Sequence, residues 1–403
     1  MAKSNKKFYF LIFLVLFEFA VYMSNDMILP ALIDVVNEFQ VSESLVPLSL
    51  SIFLLGSLSI QLFVGPISDR YGRRSTMFVG GIIVLIGNVI GILASNMPNF
   101  FIARILQGMG PCFIGVAGYA CVHELYKEKE AINVISWMAS VALFAPMIGP
   151  LAGSTVMLFA GWRYIFVTTF LLSLIGLIGL WFFMPETLTD DKKIKIKLKP
   201  ILSIYLDLIK NKNFIFGSIS FALSFGSVIV WISSSPIVLM NLYHLNKSEF
   251  SLVQIPIFLA FILGTFTLRY LSKFMNSFKS LSIGFMITFV SSIVTVLFSY
   301  FAPNNLYLII AAFTCFNFGY GILSAPFTRL ILDSTTQSKG MASALLYFMF
   351  FIIGSLFSAM FGIFYNETIF SFTLYIALIL FLSLIIGYKS KMIKFNFKEL
   401  NSI

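Results

Sequence analysis

Charge is scarce in this chain. Lys and Arg together number 27 and Asp and Glu 17, so charged residues make up 11% of 403 positions, against about 25% in soluble globular domains. A soluble fold built from so few charges would leave large apolar patches in water, which excludes a soluble enzyme, and the hydrophobicity excludes a disordered chain. Three cysteines (Cys112, Cys121 and Cys315) lie in apolar runs without paired spacing, which argues against a disulfide framework or a zinc site. The two histidines, His123 and His244, have no ligand-spaced partner. There is no P-loop, so ATP drive is not expected, and no Ser/His/Asp set lies on a plausible face, so a membrane enzyme is not expected either. No metal or cofactor is called for.

Apolar residues fill the space left by charge. Hydrophobic types reach 59% and aromatics 17%, the composition of a polytopic membrane protein whose solvent is lipid. Runs of about 20 apolar residues predict twelve helices. The first six cover roughly 9–30, 45–66, 75–95, 99–123, 131–158 and 163–184. The second six cover roughly 213–240, 250–271, 280–301, 305–331, 341–364 and 369–388. The start, Met-Ala-Lys-Ser-Asn-Lys-Lys before an apolar stretch, is like a signal peptide. Glu18 inside that stretch and the lack of a small-x-small cleavage site predict a retained first span. The polar segment 185–212, with Lys192, Lys193, Lys195, Lys197 and Lys199, divides the chain into bundles 1–184 and 213–403. A solvated cytoplasmic linker is expected there rather than an interfacial element.

The net charge of +10 does not indicate nucleic acid, because the basic residues sit in short spacers between apolar runs. With the N-terminus inside, 24 of them fall on the cytoplasmic side, only Arg163 and Lys247 fall outside, and Arg104 lies within a helix. The positive-inside rule then places both termini in the cytoplasm. A weak repeat supports two six-helix halves. Gly108-Met109-Gly110 in the fourth span recurs as Gly319-Tyr320-Gly321 in the tenth, 211 residues on. Paired six-helix repeats are a transporter architecture with the substrate site near mid-membrane.

Four stretches carry more than hydrophobicity. After the second span comes Gly65-Pro66-Ile67-Ser68-Asp69-Arg70-Tyr71-Gly72-Arg73-Arg74, which reads as a helix stop and a tight cytoplasmic turn with four charges. A positive-inside anchor needs only its arginines. The fifth span holds Ala145-Pro146-Met147-Ile148-Gly149-Pro150-Leu151-Ala152-Gly153, where the two prolines, each lacking a backbone donor, are expected to bend the helix and Gly149 and Gly153 permit close helix contact. The fourth span places Arg104 about 7.5 Å from its outer end, where it either snorkels to the surface or needs a buried partner. In the first span Glu18, Tyr22 and Asp26 are spaced by four and share a stripe. Asp26 falls near the depth of Arg104, so the two could pair directly or through water. Glu18 lies about 12 Å deeper with no basic residue at its level, and an unpaired carboxylate in such a place favours its neutral form. Glu124 is expected to pair with Arg73 or Arg74 as readily as to take a transport role, and Arg329 with Asp333 one turn away. Ser233-Ser234-Ser235-Pro236 is expected to satisfy a local break in the seventh span.

The loop from Gly65 to Arg74 closely resembles the loop 2–3 signature of the major facilitator superfamily. That resemblance implies a conformational latch formed by Gly65, Asp69, Arg70, Gly72 and Arg73, with Asp69 near Gly340-Met341-Ala342 when the transporter faces outward. The fifth-span motif (Pro146, Gly149, Pro150, Gly153) resembles the one that marks antiporters in this superfamily. Asn25-Asp26-Met27-x-x-Pro30 with Glu18 is similar to the MdfA-like branch of its twelve-helix drug:proton antiporters. The likeness takes in Gln107, Tyr119, Glu124, Met138 and Ala142, and in the second half mainly the tenth span with Arg329. It implies an all-helical fold in a bacterial cytoplasmic membrane, drugs and protons as partners, and a monomer. Glu18, Asp26 and Arg104 would bind protons and substrate in a cavity lined by Tyr22, Asn25, Gln107, Tyr119, Met138 and Ala142. Thr265 stands where the branch has an Asn, which bears on substrate preference. The expected function is proton-coupled multidrug efflux; the alternative is an exporter of a specific metabolite or sugar.

Overall fold

A computed structural model describes residues 2–189, 198–390 and 392–393. The lysines at 192, 193, 195 and 197 lie outside the described residues. Among those described, secondary structure is helical throughout, and twelve helical segments are long and apolar enough to cross a membrane. The fold is that of a multi-pass membrane protein.

The chain groups into two compact units. The first contains residues 1–197 and 245–254. Its helices are α1 (Ala2–Asp26), α2 (Leu32–Glu38), α3 (Val46–Gln61), α4 (Val64–Tyr71), α5 (Arg73–Ile92), α6 (Met97–Phe113), α7 (Tyr119–Leu125), α8 (Glu128–Phe159) and α9 (Arg163–Phe183). α1 packs on α8 and α9, and α6 packs on α3 and α5. The first span is thus two helices rather than one. Pro30 has no N–H to offer the Asp26 carbonyl, so α1 stops there and a 3₁₀ turn, Leu29–Ala31, leads into α2. A π turn, Ile114–Gly118, follows Pro111 between α6 and α7. The two basic residues expected on the outer side are paired within this unit: Arg163 with Glu38 at 2.7 Å and Lys247 with Asp34.

The second unit contains residues 198–244 and 255–403. It comprises α10 (Leu198–Lys210), α11 (Lys212–Leu242), most of α12 (Lys247–Leu271), α13 (Ser277–Phe301), α14 (Leu306–Asp333), α15 (Lys339–Phe364) and α16 (Ile369–Lys389). Polar residues at the turns start these helices. The side chains of Asn211, Asn276, Asn305, Ser338 and Thr368 each accept a backbone N–H from the first turn that follows, satisfying donors the helix cannot. α11 stays helical through Pro236, and Ser233 donates to the Val230 carbonyl at 3.3 Å. Trp231, fully buried, stacks on Phe313 with centroids 3.9 Å apart.

Two elements differ from the sequence reading. The stretch Gly65-Pro66 does not stop a helix but lies in the first turn of α4, where a missing proline N–H costs nothing. The turn itself falls at Gly72 (φ 99°). Residues 198–210, expected to be part of a solvated linker, form α10 packed on α11 and α15. Tyr205 and Leu208 are buried, while Leu202, Leu206 and Ile209 are exposed. The GxG pairs do serve the same purpose in each unit. Gly108 and Gly110 admit α3 and α5, and Gly321 and Gly319 admit α12 and α13, so the order of the two glycines is reversed.

Candidate functional site

The site is built on α1 in the first unit. Glu18 and Arg104 are fully buried and Asp26 is 4% exposed. Ionisable groups at such depth need compensation, and each of the three finds it differently.

Arg104 enters from α6. Its Nη1 donates to the Ser24 carbonyl at 2.9 Å and to Gln107 Oε1 at 2.8 Å, and its Nη2 donates to Asn25 Oδ1 at 2.7 Å. The guanidinium lies over the Phe53 ring, 4.8 Å from its centroid, and Nε has no hydrogen-bond partner among the described residues. Asn25 in turn donates to Asp26 Oδ1 at 3.0 Å. Among the described residues Arg104 and Asp26 therefore meet through the Asn25 amide and form no direct ion pair. The reason is the fork of the guanidinium, which matches two or three oxygens in fixed directions; here neutral oxygens from Ser24, Asn25 and Gln107 occupy it. The snorkelling alternative does not hold, because Arg104 is buried.

The network extends beyond the residues singled out in the sequence. Gln107 Nε2 donates to Asn88 Oδ1 at 2.9 Å, and Thr169 donates to the same oxygen at 2.7 Å. Asn88 closes the chain by donating to the Val84 carbonyl. Four helices, α1, α6, α5 and α9, are thereby joined by side-chain hydrogen bonds. Sequence reasoning missed Asn88 and Thr169. A lone amide in the apolar run of α5 was the available signal, since a buried polar group in a membrane helix needs a partner.

Glu18 is more isolated. Tyr119 donates to its Oε1 at 3.5 Å, and Oε2 has no partner. No cation pairs with it among the described residues. Tyr22, Asn25, Tyr119 and Ala142 are half-buried. Met138 is fully buried in an apolar cluster with Leu14, Val21 and Ile114.

Helix α8 is continuous from Glu128 to Phe159 through both Pro146 and Pro150. Pro146 has no N–H to offer the Ala142 carbonyl four residues back. Gly149 and Gly153 sit directly against α1. A Cβ at Gly149 would lie 2.3 Å from the Asp26 Cβ, and one at Gly153 would lie 1.9 Å from the Met27 carbonyl oxygen. The glycines thus bring α8 onto the backbone that carries Asp26.

The loop residues form a separate cluster at the other end of this unit. Arg73 donates to Ser68 and Glu124 at 3.0 Å each, and pairs with Asp69 one turn earlier. Glu124 is thus paired with Arg73. Glu186, which the sequence did not flag, accepts the backbone N–H groups of Arg73 (2.9 Å) and Arg74 (3.2 Å). Gly72 fits this carboxylate: its φ suits glycine, and a Cβ there would lie 2.2 Å from Glu186 Oε2. Arg70 points elsewhere, over the Tyr71 ring at 5.2 Å. Around Gly65 no atom lies within 4 Å of a would-be Cβ.

Residues 14–359 match the family model described as Major Facilitator Superfamily. The chain is 35% identical over 331 residues to a multidrug transporter MdfA of Yersinia pestis bv. Antiqua (strain Angola), covering 82% of this chain and 81% of that protein. It is 35% identical over 331 residues to the protein of the same description from Edwardsiella piscicida, covering 82% and 80%. For that of Escherichia coli O6:H1 the identity is 33% over 344 residues, covering 85% and 84%. Among solved structures, a D-xylose-proton symporter superposes with a TM-score of 0.76 at 16% identity, covering 96% of this chain and 99% of that one. This last likeness concerns the fold alone.

Proposed function

This chain belongs to the major facilitator superfamily and is MdfA-like, and we propose that it is a proton-coupled multidrug antiporter that exports lipophilic cationic and neutral compounds by alternating access. The observation that carries the proposal is the buried carboxylate of Glu18, which pairs with no cation among the described residues and lies on the same stripe of α1 as Asp26. The description multidrug transporter borne by its relatives supports the substrate class.

In this reading Glu18 and Asp26 hold either protons or a cationic drug. Protons arriving from outside displace the drug, and the drug arriving from inside displaces protons. One proton exchanged for one monovalent cation moves no net charge, whereas export of a neutral drug leaves the cycle electrogenic. Arg104 does not neutralise Asp26 directly; it fixes the Asn25 amide that donates to it. An apolar lining with few fixed polar partners favours breadth over specificity. Asp69, Arg70 and Arg73, with Gly65 and Gly72, form the conformational latch of the proposal. The protein would work as a monomer in the bacterial cytoplasmic membrane with both termini inside, as the asymmetry of basic residues supports.

The test is dye efflux from a pump-deficient host, with and without a protonophore, for the wild type and for Glu18→Gln combined with Asp26→Asn. Efflux that stops on uncoupling, and is lost in the double variant at equal membrane abundance, is expected. Uphill efflux by the double variant, or efflux insensitive to the uncoupler, would refute proton antiport. Failure of the wild type to move any dye would favour the metabolite reading.

A further inference from the structure

The turn that leads from α12 into α13 has no counterpart to the acidic cluster of the first unit. Around Arg73 the first unit gathers Asp69, Glu124 and Glu186. In the second unit a cavity of about 490 Å³ opens between the end of α12, the start of α13 and the inner part of α14. This is within the range of about 300–1,000 Å³ typical of small-molecule sites. Arg269 and Arg329 line it, and no Asp or Glu does.

The polar groups of the lining fall into two sets. Thr265 and Ser272 donate their hydroxyl protons to the carbonyls of Ile262 and Arg269. The others have donors to offer. Asn276 uses only its Oδ1, which accepts the Lys279 N–H at 2.9 Å. Ser280 is 1% exposed and lines the cavity. The Arg269 side chain has neither ion pair nor hydrogen bond among the described residues. Arg329 has one acid at hand, Asp333 at 3.6 Å, and Lys339 shares that acid at 3.0 Å. The cavity thus presents two guanidinium groups, with the Asn276 amide and the Ser280 hydroxyl in its lining and a single acid, shared by Arg329 and Lys339, nearby.

We infer that this cavity binds a phosphate-bearing group, supplied either by the headgroup of an anionic phospholipid or by a free phosphate compound. Guanidinium forks match phosphate oxygens in pairs. Basic pockets among membrane helices at the cytoplasmic side take anionic headgroups, and the count of basic residues puts this turn on that side. The Asn276 side chain, whose Oδ1 is already taken by the Lys279 N–H, adds an amide donor beside the guanidinium groups. This inference does not rest on the antiport reading.

The experiment uses full-length protein, delipidated in detergent, with add-back of phosphatidylglycerol, phosphatidylcholine or inorganic phosphate, read by native mass spectrometry and by thermal shift. Phosphatidylglycerol or phosphate is expected to bind the wild type. Arg269→Gln should weaken that binding about tenfold or more, as loss of a charged hydrogen bond does, and adding Arg329→Gln should abolish it. Phosphatidylcholine binding should be the same in all three proteins. Binding of phosphatidylglycerol that phosphate does not displace identifies a lipid site; binding of phosphate, or displacement by it, identifies a soluble ligand. Equal affinity in the wild type and in Arg269→Gln, or binding of neither probe, overturns the inference. Arg269 is exposed and unpaired, so the single variant keeps the test open even if the double variant does not fold.

Discussion

The contact of α8 with α1 permits a sharp test. In Gly153→Ala the new Cβ would stand 1.9 Å from the Met27 carbonyl oxygen, 2.7 Å from its carbon and 3.0 Å from its Cα. All three are backbone atoms, so no side chain can rotate away. Bringing the shortest contact to the 3.0 Å that real Cβ atoms keep requires the helices to part by roughly 1.1 Å, and forced overpacking of this kind costs about 1–3 kcal/mol. The displaced segment carries Asp26, and misplacing a functional group by about 1 Å can cost on the order of a hundredfold in rate. Gly153→Ala should therefore lower the unfolding temperature of the purified protein and cut dye efflux more than tenfold at equal membrane abundance. Gly115→Ala is the control, because no atom lies within 4 Å of its Cβ, and it should behave as wild type. If Gly153→Ala matched the control in both measurements, the close approach of α8 to the Asp26 segment would be wrong, and with it the physical reason offered for the glycines of that motif.

Two further substitutions probe the supports of the first unit. Asn88→Leu leaves the buried Gln107 amide without its acceptor, while the Thr169 hydroxyl can still turn to the Ile165 carbonyl at 3.0 Å, at a cost of about 1–3 kcal/mol; a lower unfolding temperature is expected together with weaker substrate binding, and unchanged values in both would remove Asn88 from the network. Gly72→Ala forces a side chain into a glycine-only conformation, a strain of about 1–3 kcal/mol, and crowds the Glu186 carboxylate; thermal unfolding at or above the wild-type temperature would contradict the turn.

Much of this molecule is legible in its sequence because lipid is a harsh solvent. Twelve apolar runs can only be spans, and Glu18, Asp26 and Arg104 stand out as charges within them. The pairing of those charges is not legible. Periodicity puts Asp26 and Arg104 at one depth, but it does not say that Asn25 turns its amide between them. Asn88, Thr169 and Glu186 escape for the same reason: each is defined by a partner far along the chain, and the lone amide of Asn88 in an apolar run marks a need for a partner without naming it. Helix α10 escapes differently. Its lysine-rich approach reads as solvated, while Tyr205 and Leu208, three apart, turn inward onto α11 and α15. Gly65-Pro66 misleads because the same dipeptide that ends a helix also begins one.

The two carboxylates of α1 are wired so differently that, in the proposed cycle, they do not do the same work. A change of charge at Glu18 disturbs one long hydrogen bond from Tyr119. A change at Asp26 alters the acceptor of Asn25, and Asn25 holds Arg104, which bonds Gln107, which bonds Asn88 with Thr169. Charge at Asp26 is therefore read by four helices at once, and α8 rests on the same backbone through Gly149. Coupling of a proton to a change of shape needs an element whose alternatives the proton biases. In the proposed cycle Asp26, whose network joins four helices, is the better placed of the two for that role. In this mechanism Glu18 matches the charge of the cargo, and Asp26 converts protonation into movement of the first unit's helices.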